Sequence, residues 1–268
     1  VKIIGTYQPK SIQIKNILKS INLTNDACLF IDDNELEIQE VMNFSQDITC
    51  VKFPESIKYL PAFLEKIMKF FDFSNITFED KNRTKFYKSQ IDAIQVLEGN
   101  HSFIDDYLKS LKQILNIKKG DANNIDRAVQ LINKTNQFNL NGIRRSKEEI
   151  IDMLNNDHDI FIGELIDKNG SQGEIIVILL EKTGTISSFV MSCRVFQRKL
   201  ELAILYALNQ LGYHELKFKY ILTKRNHPFL KFAEQVADLN QKDNFMFNFS
   251  KIKSQLIDIN ELFEINIK

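Results

Sequence analysis

The chain has 268 residues, 44% hydrophobic and 26% charged, a globular balance with length for one large domain or two small ones. Lys+Arg and Asp+Glu are both 35, so the net charge is zero, without the basic excess that marks a nucleic-acid binder. The longest apolar run, Ile175 to Leu180, is far too short to cross a bilayer, and Val1-Lys2-Ile3-Ile4-Gly5 lacks the apolar stretch of a signal peptide, so neither nucleic acid nor membrane is expected as a partner. Three scattered cysteines, Cys28, Cys50 and Cys193, form neither a disulfide framework nor a CxxC zinc pair, and point to a reducing, cytoplasmic setting.

Val1 to Tyr7 reads as a strand. Pro9 then precedes an amphipathic helix with Ile14, Ile17, Leu18 and Ile21 on one face. Ala27 to Ile31 is a short strand that runs into Asp32-Asp33-Asn34 and a helix from about Glu35 to Met42, and Ile48 to Phe53 is a further strand. Residues 1–54 thus have the alternating rhythm of a parallel sheet. Residues 59–118 read as helical with no strand, and Gly120-Asp121 marks the expected domain boundary. Asn124 to Phe138 and Lys147 to Leu154 follow as helices. Ile160 to Ile166 and Glu174 to Leu180 read as a hairpin around Lys168-Asn169-Gly170-Ser171, and Thr185 to Cys193 as a third strand. Leu200 to Gly212 is a helix with Leu200, Ala203, Ile204, Ala207, Leu208 and Leu211 inward. A strand over Leu216 to Leu222, a helix over Phe229 to Ala237 and a strand over Asn244 to Phe249 complete the pattern, with Lys251 to Lys268 as a tail, a short helix or an arm. The expected segments are therefore 1–58, a helical connector at 59–118, a mixed α/β domain at 119–250, and the tail at 251–268.

Chemistry-bearing residues gather at strand ends. Asp32 and Asp33 follow a strand at its carboxyl end, where α/β proteins place their sites, and paired carboxylates suit a hard cation such as Mg2+; a turn and helix cap is the competing reading. Cys193 ends a strand near Arg194 and Arg198, a setting that favours a thiolate; an inert buried thiol is the plainer alternative. Arg194, Arg198 and Lys199 can bind phosphate by charge, or can simply form a solvated helix start. The order of elements over 124–249 resembles the GNAT-type acyltransferase fold, in which a pantetheine cofactor sits where a central strand meets the next helix and backbone amides cradle its pyrophosphate. That cradle carries glycine at two positions, where this chain has Gln197 and Lys199.

A more specific resemblance comes from separated motifs. Pro9-Lys10-Ser11 with Phe30-Ile31-Asp32-Asp33-Asn34-x-x-Glu37 is similar to the last two motifs of haloacid-dehalogenase-type phosphatases. Thr77-x-x-Asp80-x-x-Arg83-x-x-x-Tyr87 comes next. Arg127-x-x-Gln130 through Asn139, Met191-Ser192-Cys193-Arg194-x-x-x-Arg198-x-x-Glu201 and Tyr220-x-x-Thr223-x-x-Asn226 follow in order. Together these blocks resemble the FkbH-like family, which joins a phosphatase-type Rossmannoid domain to a GNAT-like domain, and the likeness spans most of residues 7–237.

The resemblance implies an enzyme that moves a glyceryl-like acyl group from a small phosphorylated three-carbon acid, through a cysteine thioester, to the phosphopantetheine of an acyl carrier protein in polyketide-type synthesis. It implies Cys193 as the nucleophile, Asn136, Gln137, Thr223 and Asn226 as acyl-orienting groups, and Lys10, Asp32 and Asp33 as a phosphatase-motif remnant that holds Mg2+. The Asp-x-Asp nucleophile motif and the Ser/Thr motif of such phosphatases are missing from this sequence, so the phosphatase-type half is expected to be incomplete and inactive. Two alternatives stay open: an N-acyltransferase of surface-sugar synthesis, and a non-catalytic docking module for a carrier protein.

Overall fold

The computed structural model describes residues 3–71, 84, 102–241 and 244–268. The chain divides into two units, Val1–Gly99 and Asn100–Lys268. Thr77, Asp80, Arg83 and Tyr87 lie outside the described residues.

In the first unit, α1 (Lys10–Ser20) leads to β1 (Leu29–Asp32), α2 (Glu35–Phe44), β2 (Thr49–Lys52) and α3 (Leu60–Met68). β1 and β2 pair in parallel, as the helix–strand rhythm predicts, with Asp32 opposite Lys52. Ile14, Leu18, Val41 and Ile48 form the buried cluster beneath them. α2 starts where it does because the Asn34 side chain accepts the Leu36 N–H, satisfying one of the orphan amides of the first turn. The strand expected over Val1 to Tyr7 is not found at residues 3–7, which are exposed and have no ladder partner. Apolar composition alone does not make a strand without a neighbour to pair with.

The second unit is a mixed sheet with helices on both faces. Its elements are α4 (Ser102–Ser110), β3 (Gln113–Lys119), α5 (Asp126–Lys134), β4 (Phe138–Asn139), α6 (Lys147–Asn155), β5 (His158–Asp167), β6 (Gly170–Glu181), β7 (Thr185–Met191), α7 (Leu200–Gln210), β8 (Lys217–Lys219), α8 (His227–Val236), β9 (Ala237–Gln241), β10 (Asn244–Phe247), α9 (Lys253–Leu262) and β11 (Phe263–Ile267). The strand order is β11-β3-β5-β6-β7-β8-β10-β9, with β4 paired to β7 off that path. Period-two alternation in β5 and β6 splits their side chains between two cores. Ile160, Ile162, Val177 and Leu179 meet α5 and α6 on one face. Phe161, Ile176, Ile178 and Leu180 share the other core with α7, α8 and α9.

This arrangement corrects three expectations. β3 lies within residues 59–118, which read as strand-free, and belongs to the second unit together with α4. The stretch 251–268 is not a tail: it forms α9 and then β11, which pairs in parallel with β3. The unit therefore reaches beyond 119–250 at both ends. The helix expected over Asn124 to Phe138 stops at Lys134, and Phe138 is buried as part of β4. Just past α7, Leu211 is 42% exposed, whereas Leu202 and Leu205 within it are buried. α9 packs against α7, so this helix buries more than one stripe. Among the described residues, no helix is long and apolar enough to cross a membrane.

Candidate functional site at the end of the central strand

β7 is where the site residues converge. β8 accompanies it through two residue pairs only, Thr185–Lys217 and Ile186–Phe218. Beyond these the edge of β7 is taken by β4, with Phe138 opposite Met191 and Asn139 opposite Val190. Leu140 extends this wedge: its N–H donates to the Phe189 carbonyl at 3.0 Å, and its own carbonyl accepts the Ile221 N–H at 3.3 Å. Phe138 anchors the wedge, with ring centroids 5.0 Å from Phe229 and 5.4 Å from Phe189. Burying such a ring stabilises by about 2–3 kcal/mol, and edge-to-face pairs add to that.

The antiparallel register has a chemical consequence. The last pair is Phe138–Met191, so Asn136 and Gln137 enter β4 at the end where β7 gives way to Ser192 and Cys193. Cys193 opens a short 3-10 turn (Cys193–Val195) as β7 ends, and its reduced thiol is half-buried. The Asn136 side-chain oxygen accepts a hydrogen bond from the Arg144 guanidinium. Sequence reasoning missed Arg144; the Arg144-Arg145 pair just after Asn141-Gly142 was the available signal. Cys28 and Cys50 have a structural setting by contrast. Burial pushes both thiols up, and Cys50 pushes Cys28 up further, so each is held toward the neutral form.

Thr223 and Asn226 meet this wedge from the other side. Asn226 is fully buried. Its Nδ2 donates to the carbonyls of Asn139 and Ile221, both at 2.9 Å. Its Oδ1 accepts from the Tyr220 hydroxyl at 2.8 Å and the Thr223 N–H at 2.7 Å. Both amide hydrogens and both lone pairs are used, which corrects the expectation that Asn226 orients acyl oxygens directly. It instead positions β4 and the loop carrying Thr223.

The basic residues after Cys193 divide by environment. Arg198 is buried, and its Nη1 lies 2.6 Å from Oδ2 of Asp167, whose side chain has no exposed surface. Its charge is balanced inside the fold, not turned toward a phosphate. Arg194 is also buried, with its Nε donating to Ser192 Oγ at 3.1 Å. Lys199 is half-buried and serves as the N-cap of α7. Gln197 and Lys199 have φ of 66° and 60°, the left-handed conformation that ordinary side chains disfavour by about 1–2 kcal/mol. The loop therefore follows a glycine-type backbone path at Gln197 and Lys199, the two positions where the GNAT-type resemblance leads one to expect glycine. Glu201, in the first turn of α7, is pushed up by burial against the counter-effects of its own amide and Lys199, and its Oε2 is buried with no hydrogen-bond partner.

In the first unit, Asp32 ends β1 and Asp33 follows it, as expected from the motif. One Asp32 oxygen accepts the Asn34 N–H at 2.9 Å, so the turn-forming role is present. Lys10 is exposed at the first position of α1 and, among the described residues, makes no ion pair with either acid. Its neighbour Ser11 donates its N–H to Glu40 at 3.0 Å. Among the described residues, no group of three or more His, Cys, Asp or Glu converges as a metal site. Two adjacent acids, one of them partly committed to the turn, fit a Mg2+ centre only in part.

The chain matches no family model and no curated protein.

Proposed function

We propose that this chain is an acyltransferase of the FkbH-like type, joining the C-terminal part of a haloacid-dehalogenase-like domain to a GNAT-like domain. In this reading Cys193 takes a glyceryl-like acyl group from a phosphorylated three-carbon acid and passes it to the phosphopantetheine thiol of an acyl carrier protein. The observation that supports the reading is the β4–β7 pairing, Phe138 with Met191 and Asn139 with Val190, in which Asn136 and Gln137 lead into β4 and Ser192 and Cys193 follow β7. The parallel β1–β2 pair with Asp32 and Asp33 at its carboxyl end supports the assignment of the first unit.

The Cys193 thiolate attacks the carbonyl carbon of an acyl phosphate. A C–S bond forms, the C–O bond to phosphate breaks, and phosphate leaves with the electron pair. The pantetheine thiol then gives up its proton to solvent water and attacks the thioester carbonyl; the new C–S bond forms, the Cys193 C–S bond breaks, and the Cys193 thiolate leaves with the electron pair. Both acyl states are thioesters, so the second step is close to thermoneutral. Asn136 and Gln137 supply amides for the acyl oxygens, and Thr223 supplies a hydroxyl. Because β4 occupies the edge of β7, the pantetheine arm has to approach from the Cys193 end of the strand.

Incubating the protein with an acyl phosphate donor and mapping adducts by mass spectrometry tests this. The adduct is expected on Cys193 and absent in Cys193→Ala, with Cys28→Ala unaffected. An adduct that persists in Cys193→Ala and vanishes in Cys28→Ala overturns the assignment. No adduct on any cysteine favours the docking-module alternative.

A further inference from the structure

Asn133, Asn136 and Asn139 each hydrogen-bond to the loop that follows β4, but they do not do so alike. Asn133 clamps Arg145: its Nδ2 donates to the Arg145 carbonyl at 2.7 Å, and its Oδ1 accepts the Arg145 N–H at 3.1 Å. Asn139 donates through Nδ2 to the Thr135 carbonyl at 2.9 Å, and its Oδ1 accepts the N–H groups of Asn141 and Gly142 at 3.1 and 2.8 Å. Both of these amides are used at both ends. The half-buried Asn136 is used at one end only. Its Oδ1 accepts from Arg144, and its Nδ2 has no partner among the described residues.

The bond from Arg144 decides which end of Asn136 is left over. A guanidinium carries donors only, so the end of the amide that meets it has to be the oxygen. Turning the amide over would set its NH2 against the guanidinium, donor against donor, and would leave both unsatisfied. Arg144 is itself held in place. Its Nη1 donates to the carbonyls of Ile132 and Thr135 at 2.7 and 3.0 Å, where α5 ends and its carbonyls lack intrahelical partners. The Asn133 clamp on Arg145 then fixes the backbone beside it.

We infer that Arg144 is a positioning residue for acyl transfer, holding the Asn136 amide with its N–H end free to donate to the carbonyl oxygen of the acyl group. This rests on the acyltransferase reading, in which Asn136 serves the reaction at Cys193. When a thiolate attacks that carbonyl, the C=O π pair moves onto oxygen, and an N–H donor stabilises the charge that develops there. An amide turned the other way would offer that oxygen a lone pair and repel it. Arg144 acts through Asn136 and not on the acyl group, and its charge polarises the amide so that the free N–H is the stronger donor.

Two measurements on the full chain test this. In the first, acylation of Cys193 by acetyl phosphate is followed by mass spectrometry over a range of donor concentrations. Asn136→Ala should lower the maximal rate about a hundredfold, the worth of one donor to an oxyanion, with little change in the half-saturating concentration. Arg144→Met should lower it about tenfold, and Arg144→Lys should recover part of that loss. Arg144→Met combined with Asn136→Ala should be no slower than Asn136→Ala alone, whereas an arginine acting independently of Asn136 would give additive losses. In the second, the asparagine side chains are labelled with 15N, and the Asn136 NH2 signals are identified by their loss in Asn136→Ala. Those signals should shift when glycerate is added to the unaltered protein, a readout that needs neither acyl transfer nor a folded Arg144 variant, and should shift much less in Arg144→Met. If they behave in this way while no adduct forms on Cys193 of the unaltered protein, the transferase chemistry is wrong and the positioning stands. Signals that do not move in the unaltered protein, an equal shift in Arg144→Met, or additive losses in the double variant overturn the inference.

Discussion

Asn226→Ala is the most informative single change, because one side chain closes four hydrogen bonds inside the second unit. Each bond contributes roughly 1 kcal/mol net, and a buried group left without a partner costs about 1–3 kcal/mol. Water entering the vacated space offsets part of that, so the expected loss is about 3–4 kcal/mol in urea unfolding followed by far-UV circular dichroism. Asn226→Asp has nearly the same shape but replaces two donors with an oxygen facing the carbonyls of Asn139 and Ile221. Those carbonyls and the burial raise the folded-state pKa of the new acid above its unfolded value of about 3.9. The variant is then least destabilised below that value, where both states are protonated, and its stability falls as pH rises toward neutrality. Measured against the unaltered protein, Asn226→Asp should lose clearly more stability at pH 7 than at pH 4. A loss under about 1 kcal/mol for Asn226→Ala, or no extra pH slope for Asn226→Asp, would refute the claim that this amide is saturated and structural.

Three further outcomes follow from the same structure. Arg198→Met should cost about 3–5 kcal/mol because it strands the buried Asp167 carboxylate, and most of that should return in Arg198→Met with Asp167→Leu, as read by a double-mutant cycle. Gln197→Gly and Lys199→Gly should each stabilise by about 0.5–1 kcal/mol, the left-handed strain relieved minus the entropy glycine adds to the unfolded chain; a lower urea midpoint in either would count against that backbone path. Burial, then the hydrogen bond and charge of Asp159, push the Tyr213 phenol well above its ordinary range, so it contributes stability below about pH 10 that is lost as pH rises through the folded value. Tyr213→Phe should flatten that alkaline limb in thermal melts.

Much of the fold was legible where local signals were strong. The β5–β6 hairpin shows as two apolar runs on either side of a two-residue turn before Gly170, whose φ is 105°, and the parallel β1–β2 pair follows from its strand–helix–strand spacing. What escaped was short or non-local. β4 is two residues long, below any measurable period, and β9 begins at Ala237, directly after α8 ends at Val236. β3 follows a helix so closely that its alternation blends into the helical pattern, and its partner β11 is far away in sequence. The site divided in the same way. Cys193 and the Asn136-Gln137 pair were visible as residue types, but the β4–β7 pairing that brings their two segments to one strand end was not. The saturation of Asn226 depends on four partners from two separate segments, and the partner of Arg198 is Asp167 at the end of β5.

The parallel pairing of β3 with β11 bears on how the second unit is synthesised. Asn116 and Asn266 share a side-chain hydrogen bond across 150 positions, so β3 emerges from the ribosome long before the strand that covers it. At the roughly 5–20 residues per second of translation, that interval is on the order of ten seconds. During it, Gln113 to Ile117 presents an open row of backbone donors and acceptors rich in isoleucine and leucine, the kind of edge that recruits other chains. Lys112, Lys118 and Lys119 bracket the segment and act as charged gatekeepers. A nascent chain with those lysines neutralised should aggregate before α9 and β11 arrive, and the finished fold would also lose the Lys118–Glu174 and Lys119–Asp159 ion pairs.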